Sequence, residues 1–581
     1  MSTTTPKIIN DCILEILLYL TDDHYTLYNC IQVNRDWCQL AIPLLWMNPF
    51  KFENFKNFKI IQTLIQNFDV QSKDQLLRKR VFNSSPLLSS LFSTLFNYSS
   101  FIQHFDFSTF KISVRDWLFK LLNKNPKYDE MVFVYQLVGS HIFKNTRGFV
   151  SLNIVYDHTK INDDFDYFGD PGEIFDDEVT SNFSEIYDIS RFGYFENAMK
   201  NLESFTFSYR GLEPTYHQKD FIKAISGIFK KLILYCNNIQ NLIIHSGVDN
   251  EFFEHINFVR KLTSGIILNQ QNLQFVSFLE EWRDDNGPDT FFSTLTKYQK
   301  TRNSLRSLKF PYFSDIGGLL PFLAINHSLE TLEFTNSFCD YDVIDYCTSN
   351  ENNMAPIYIK NLKFYRIKFD SMYNKNNYIK AVEVLLHLSK DNLQTLIVEY
   401  VNDTIIQSIS DYCNNSLTYL SLKIFPKYFY KFVDILSSLN NLKHLILVED
   451  LKNSRIKYNC SIQSFVKSFP SSLRHLGLDI SINPKILGLL LDEIEVPITT
   501  LDLYTVMDFG YLEAIVKYIK INNSNLKNLG FNSFIDSSLN NNRSLHNYMR
   551  LISALYNFEI SIYIVEKHLH GESQHGEIWF V

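Results

Sequence analysis

At 581 residues and 68.4 kDa the chain is too long for one compact core, so several domains or a long repeat array are expected. Its 55 Lys and Arg against 63 Asp and Glu leave a formal charge of −8, which carries no global electrostatic footprint for nucleic acid. Only 18 Gly and 15 Pro argue against collagen-like, mucin-like and Gly-rich linker material, while 50 Phe and 33 Tyr must bury surface somewhere. Eight cysteines lie far apart without a CxxC pair, which speaks against a zinc ribbon or a disulfide framework. The N-terminus has no basic stretch leading into an apolar one, so no signal peptide is expected. The longest apolar runs, such as Ile486 to Leu491, fall well short of the roughly 18 residues of a membrane span. The expectation is a cytoplasmic or nuclear protein with no membrane and no nucleic-acid partner.

The first predicted elements are three short helices between residues 8 and 46. Ile9, Ile13, Ile16, Leu17 and Leu20 fall on one helical face, with Asn10 as a cap and Asp11 in the first turn. Thr21 to His24 break it. Leu27, Cys30, Ile31 and Val33 continue as a second helix. Asn34 caps a third that carries Trp37, Leu40, Ala41 and Leu44, and Pro43 should bend or end it. So small a core is marginal alone, and its apolar residues need a partner in the chain or outside it.

This segment resembles an F-box. The family pattern is roughly LPxExLxxIxxYL, then xxLxxCxxVxxxWxxLA, then a Leu-Trp close. Asp11, Ile13, Ile16, Tyr19 and Leu20 stand at the first positions, and Leu27, Cys30, Val33, Trp37, Leu40, Ala41 and Leu45-Trp46 at the others. The family's Leu-Pro is Ile8-Ile9 here, and its Glu is Asp11. The resemblance implies docking on a Skp-type adaptor of a cullin ubiquitin ligase. The implied contact set is Ile8, Ile9, Ile13, Ile16, Leu17, Leu20, Leu27, Val33 and Trp37. Such a contact is a helix-in-groove interface built on a few aliphatic and aromatic anchors. Leu14 and Cys30 equally suit an inward orientation.

Residues 51–155 read as an α-helical connector, with helical stretches at 60–68, 87–96 and 117–124. Residues 156–182 form an acidic, flexible loop by composition. Asp164, Asp166 and Gly169 match part of a calcium loop, but Phe168 and Phe175 stand where oxygen ligands are needed, so the match fails.

From residue 202 a pattern LxxLxL recurs, with Ile, Val, Phe or Tyr substituting. It starts at Leu202, Ile239, Leu273, Leu305, Leu329, Leu362, Leu393, Leu417, Leu442, Leu473, Ile498 and Leu526. Twelve copies in order, most of them 24 to 34 residues apart, are hard to obtain by chance. Helical stretches at 378–390, 430–439 and 511–519 lie between copies. The fold class is therefore α/β: a small helical segment (1–50), the connector, the loop, and a leucine-rich-repeat solenoid over 183–581 with parallel strands on one face and helices on the other. The Asn or Cys that the family places after the last Leu is replaced by Glu281, Phe313, Asp370, Val401 and Phe425, so an irregular array is expected. The alternative is a set of separate βαβ units. The whole order resembles the F-box and leucine-rich-repeat proteins.

In each copy the third, fifth and seventh positions should face outward on the open side of the sheet. The third and seventh positions nominate Phe364, Lys368, Tyr419, Lys423, His444, His475 and Tyr504 as target-binding residues. His568, His570, Glu572, His575 and Glu577 read as a polar tail closing the last coil rather than as a metal site. No GxSxG, GxxxxGK[ST], HExxH or GxGxxG is present, so no catalysis, metal or cofactor is expected. Two functions stand as expectations. One is a substrate receptor of an SCF-type cullin ubiquitin ligase, with an adaptor, the ligase core and a protein target as partners. The other is a non-ligase interaction scaffold with a degenerate F-box.

Overall fold

The computed structural model describes residues 10–51, 57–78, 94–124, 126–157, 188–210, 218–247, 253–280, 288–310, 319–335, 357–365, 372–449, 462–480, 482–507, 509–522, 525–534, 550–555, 558, 560–565 and 575–577. The chain divides into two units, Met1–Trp282 with Ser293–Leu305, and Arg283–Phe292 with Arg306–Val581. Both are built from leucine-rich coils.

The first unit opens with α1 (Asn10–Leu18), α2 (His24–Cys30) and α3 (Arg35–Leu45). Asp23 and Asn34 start α2 and α3 by accepting from the backbone N–H of Thr26 (2.9 Å) and Trp37 (3.0 Å). Pro43 lies inside α3, which ends two residues later at Leu45. Ile13, Leu17, Leu27, Cys30 and Ala41 form the buried core of the three helices, and Leu20, Ile31, Trp37, Leu40, Leu44 and Leu45 close around it. Two side-chain contacts tie the end of this segment down. Trp46 packs on Tyr98 with ring centroids 4.4 Å apart, and Lys51 reaches Asp22 at 2.7 Å.

Five parallel strands complete this unit: β1 (His104–Asp106), β2 (Ser151–Asp157), β3 (Ser204–Arg210), β4 (Asn241–Gly247) and β5 (Phe275–Glu280). Residues 51–155 are thus no purely helical connector. They hold helices at Phe58–Gln66, Val70–Arg78, Phe107–Leu122 and Tyr128–Asn145, but also β1 and β2. Two further repeat copies run through them, Ile102-Gln-His-Phe-Asp-Phe107 and Phe149-Val-Ser-Leu-Asn-Ile154. Aromatic residues take Leu positions in both, which hides them from a Leu-based pattern. Those rings join an aromatic cluster of the first unit. Phe105 stacks on Phe149 at 5.2 Å, and Phe143 meets Phe192 edge-on at 5.1 Å. The helix expected at 87–96 and most of the acidic loop lie outside the described residues, with β2 ending at Asp157.

The second unit continues the pattern with ten parallel strands: β6 (Ser307–Phe310), β7 (Thr331–Thr335), β8 (Asn361–Tyr365), β9 (Thr395–Val398), β10 (Tyr419–Ile424), β11 (His444–Glu449), β12 (His475–Asp479), β13 (Thr500–Met507), β14 (Asn528–Phe534) and β15 (Ser561–Val565). A final strand, β16 (His575–Glu577), pairs antiparallel to β15. The register is a ladder of the pattern's second Leu. Leu308, Leu332, Leu362, Leu396, Leu420, Leu445, Leu476, Leu501 and Leu529 lie side by side, all buried. Helices Met372–Ser389, Asp403–Cys413, Pro426–Leu436, Pro484–Glu493 and Phe509–Asn522 return the chain between strands. Asn402 and Asn483 cap two of them, and Pro426 and Pro484 sit in first turns, where a missing N–H costs nothing.

An Asn ladder is replaced by two other devices. One is aromatic: Phe334 stacks on Phe310 at 5.7 Å and on Phe364 at 5.0 Å, and Tyr400 meets Phe425 at 5.3 Å. The other is a backbone ladder. In most of the described copies the carbonyl of the second position accepts from two consecutive N–H groups of the next copy. Glu330 O takes Lys360 and Asn361, Lys360 O takes Gln394 and Thr395, and Gln394 O takes Thr418 and Tyr419. In the first unit the same bond begins at Met47, whose carbonyl accepts from Gln103 (2.9 Å) and His104 (3.0 Å). The end of the three-helix segment therefore occupies the place of a preceding coil and fixes the segment to the first strand.

Candidate binding surfaces

Two surfaces carry the residues that the sequence nominates. The first is the outer side of α1 and α2. Ile16 (46% exposed), Leu18, Tyr19 (88%), Tyr25, Tyr28 and Val33 (60%) all face solvent. Cys12 is exposed too, and Cys12, Ile16 and Tyr19 are spaced as i, i+4 and i+7. The opposite face, Ile13 and Leu17, is spent on the core. This corrects the implied contact set. Ile13, Leu17 and Leu27 are buried inside the three helices, and Leu20 and Trp37 pack against that core. Of the nine residues, Ile16 and Val33 are the ones that stand well exposed, and Ile8 and Ile9 lie outside the described residues. Leu18, Tyr19, Tyr25 and Tyr28, which that set does not include, are exposed as well. A three-helix core this small takes one face of α1, so the residues left over, rather than the most apolar stripe, are available to a partner.

The second surface is the open side of the sheet in the second unit. Phe364 does not belong to it. The register pairs Leu362 with Leu332 and Phe364 with Phe334, so that copy begins at Ile359 rather than at Leu362. Phe364 is a core residue, 2% exposed. Lys368 lies outside the described residues. Tyr419, Lys423, His444 and His475 are half-buried on the open side, and Tyr504 is buried there.

The structure brings four of these together around residues that the pattern did not nominate. His444 Nδ1 lies 3.2 Å from His475 Nδ1, and His475 Nε2 lies 2.7 Å from Asp502 Oδ2. The Tyr563 hydroxyl donates to Asp502 Oδ1. Tyr419 stacks on His444, with centroids 5.8 Å apart. Ile446, Tyr504, Tyr563 and Val565 form an apolar cluster beside this chain of hydrogen bonds, with Tyr419 and Val448 against it. Two glycines make room for it. A Cβ at Gly477 would press on Ile446 and Tyr504, and one at Gly530 would overlap Val565, Asp502 and Tyr563.

The electrostatics result from burial. Burial, then the charge of Asp502, pushes the Tyr419 hydroxyl up to about 12. Tyr504 and Tyr563 are raised further by burial, again with Asp502 adding to it. His444 is lowered from the ordinary imidazole range, by burial first, then by His475 and Lys443. Asp502 and Gly477 occupy fifth positions, a row the third- and seventh-position reading passed over. Tyr563 lies on a strand beyond the last copy recognised, because Glu559 stands where its first Leu would be.

Among the described residues no group of three or more His, Cys, Asp or Glu could hold a metal ion. The side chains of His575 and Glu577 are not described, and His568, His570 and Glu572 lie outside the described residues. Among the described residues, no helix is long and apolar enough to cross a membrane.

No family model matches the chain, and no curated protein matches it. Among solved structures, similarity is found to the crystal structure of a TLR13–ssRNA13 complex, with 11% identity and a TM-score of 0.29 over 59% of this chain. The match spans 48% of that chain, so less than half of its length is covered. The fold itself, parallel strands in LxxLxL register each returned by a helix or loop, is that of an irregular leucine-rich-repeat solenoid.

Proposed function

We propose that this chain is the substrate receptor of an SCF-type cullin ubiquitin ligase. In this reading α1 and α2 dock on a Skp-type adaptor, and the solenoid binds a protein target. The observation that carries it is the division of labour in the first helices. Their F-box-like spacing satisfies a core of Ile13, Leu17, Leu27 and Cys30, while Ile16, Leu18, Tyr19, Tyr25, Tyr28 and Val33 stay exposed around it. Exposed aliphatic and aromatic residues gathered on so small a unit suit a helix-in-groove partner. The backbone bond from Met47 to β1 supports the reading too, because a receptor needs its docking module held at a fixed place relative to its repeats. Rate enhancement would come from proximity, by raising the effective concentration of a target lysine near the charged ubiquitin carrier.

The test is co-purification with a Skp-type adaptor from the same organism, beside an Ile16→Asp, Val33→Asp double variant. Stoichiometric binding by the parent chain, lost in a variant with unchanged circular dichroism, supports the reading. A folded parent chain that binds no adaptor overturns it. That result favours the non-ligase scaffold, which the Ile8-Ile9 departure from the family's Leu-Pro motivates.

A further inference from the structure

The His444–His475 contact has a consequence fixed by geometry. Two imidazole nitrogens 3.2 Å apart share one hydrogen bond, so one Nδ1 must carry a proton and the other a lone pair. Asp502 accepts from Tyr563 and from His475 Nε2, so His475 Nε2 carries a proton. When the pair is neutral, His475 Nδ1 is the acceptor, His444 Nδ1 the donor, and His444 Nε2 a bare lone pair. When one proton is added at His444 Nε2, the Nδ1 proton passes to His475. The positive charge then rests on His475, against the buried carboxylate of Asp502, and His444 Nε2 becomes a donor. A second proton would set two N–H groups against each other. The pair therefore behaves as one titrating unit.

His444 is half-buried, and its Nε2 meets no partner among the described residues. The surrounding titratable and charged groups come from each neighbouring strand. β10 supplies Tyr419 and Lys423, Lys443 immediately precedes β11, β12 supplies His475 and Asp479, β13 supplies Asp502 and Tyr504, and β15 supplies Tyr563. The tyrosines stay neutral at physiological pH. Asp479 bears on Tyr504, and Asp502 is compensated within the chain of hydrogen bonds, which leaves Lys443 as the charge beside the outer edge of His444. The protonated pair thus offers the neutral Nε2–H donor of His444, beside the cation of Lys443 and the flat Tyr419 ring.

We propose that this part of the open face binds an acidic peptide segment, one carboxylate accepting from His444 Nε2, and that the contact is linked to uptake of one proton by the His444–His475 pair. The neutral pair presents a lone pair to the carboxylate and repels it; the protonated pair donates to it. Binding tightens as pH falls below the ordinary imidazole range, because burial, then His475 and Lys443, lower His444. The site lies in the second unit and needs no adaptor, so it stands or fails apart from the ligase reading.

The experiment uses the full chain and a fluorescein-labelled peptide of alternating Glu and Gly, monitored by fluorescence anisotropy at pH 8 and pH 5.5. A Gln-for-Glu peptide is the control. The expected result is about tenfold tighter binding of the Glu peptide at the lower pH, the scale of one charge-assisted hydrogen bond. His444→Gln and Asp502→Asn should each flatten that dependence. Histidine-selective labelling and NMR on the same chain should show His444 and His475 sharing one protonation step. Equal binding of the two peptides, no binding of either, pH dependence that survives His444→Gln, or two independent imidazole titrations would each overturn the proposal.

Discussion

Single residues in this chain are set by what their burial does to charge. His141, on the helix Tyr128–Asn145, packs its ring 4.8 Å from Phe68, and its Nε2 is buried with no hydrogen-bond partner among the described residues. Burial lowers its pKa from 6.5 to about 4. The unfolded chain takes up this proton first, so stability is intact above pH 6.5 and is lost as pH falls toward 4. The loss is on the order of 2–3 kcal/mol from this residue. Urea unfolding across that range should show it, and His141→Gln should reduce the slope. Burial was only partly legible at this scale. Outward positions of the repeat could be read from period alone, but which outward residues would close over one another depended on Gly477 and Gly530 and on Tyr563 arriving from a later strand. Short-range pattern carries no information about such meetings between distant copies.

Elements were more legible where the pattern uses Leu and Ile than where it uses aromatics. Twelve copies stand out by their Leu and Ile spacing, yet β1 and β2 went unread because Phe105, Phe107 and Phe149 fill apolar positions of their copies. Phe364 was set three residues out of register because both Ile359 and Leu362 can begin an LxxLxL run, and only pairing with β7 decides between them. At α1 and α2 the helices were legible, but their inner and outer faces were not, since apolar residues cover both. That division gives a direct contrast. Leu27→Ala should cost about 2–5 kcal/mol of local stability, read as faster amide exchange across residues 10–45. Val33→Asp, at an exposed position, should change that exchange by no more than about 0.5 kcal/mol.

For the molecule as a whole, each copy is held to its neighbours by the Leu ladder and by paired N–H bonds to one carbonyl, so stability should be a nearest-neighbour sum. Deleting residues 550–581 removes β15 and β16, and with them the cover of Tyr563 and Val565 over Asp502 and Gly530. Hydrogen exchange should then rise in β13 and β14 and stay unchanged in β7 to β9. Uniform loss across the second unit would show cooperativity reaching beyond nearest-neighbour copies. The central functional claim is that the outer side of α1 and α2 is the adaptor-docking face. Hydrogen–deuterium exchange of the full chain, with and without a Skp-type adaptor, tests it most directly. New protection is expected between Asn10 and Val33, and none on the open face of β10 to β15. Protection absent from the first helices, or confined to the solenoid, would contradict it.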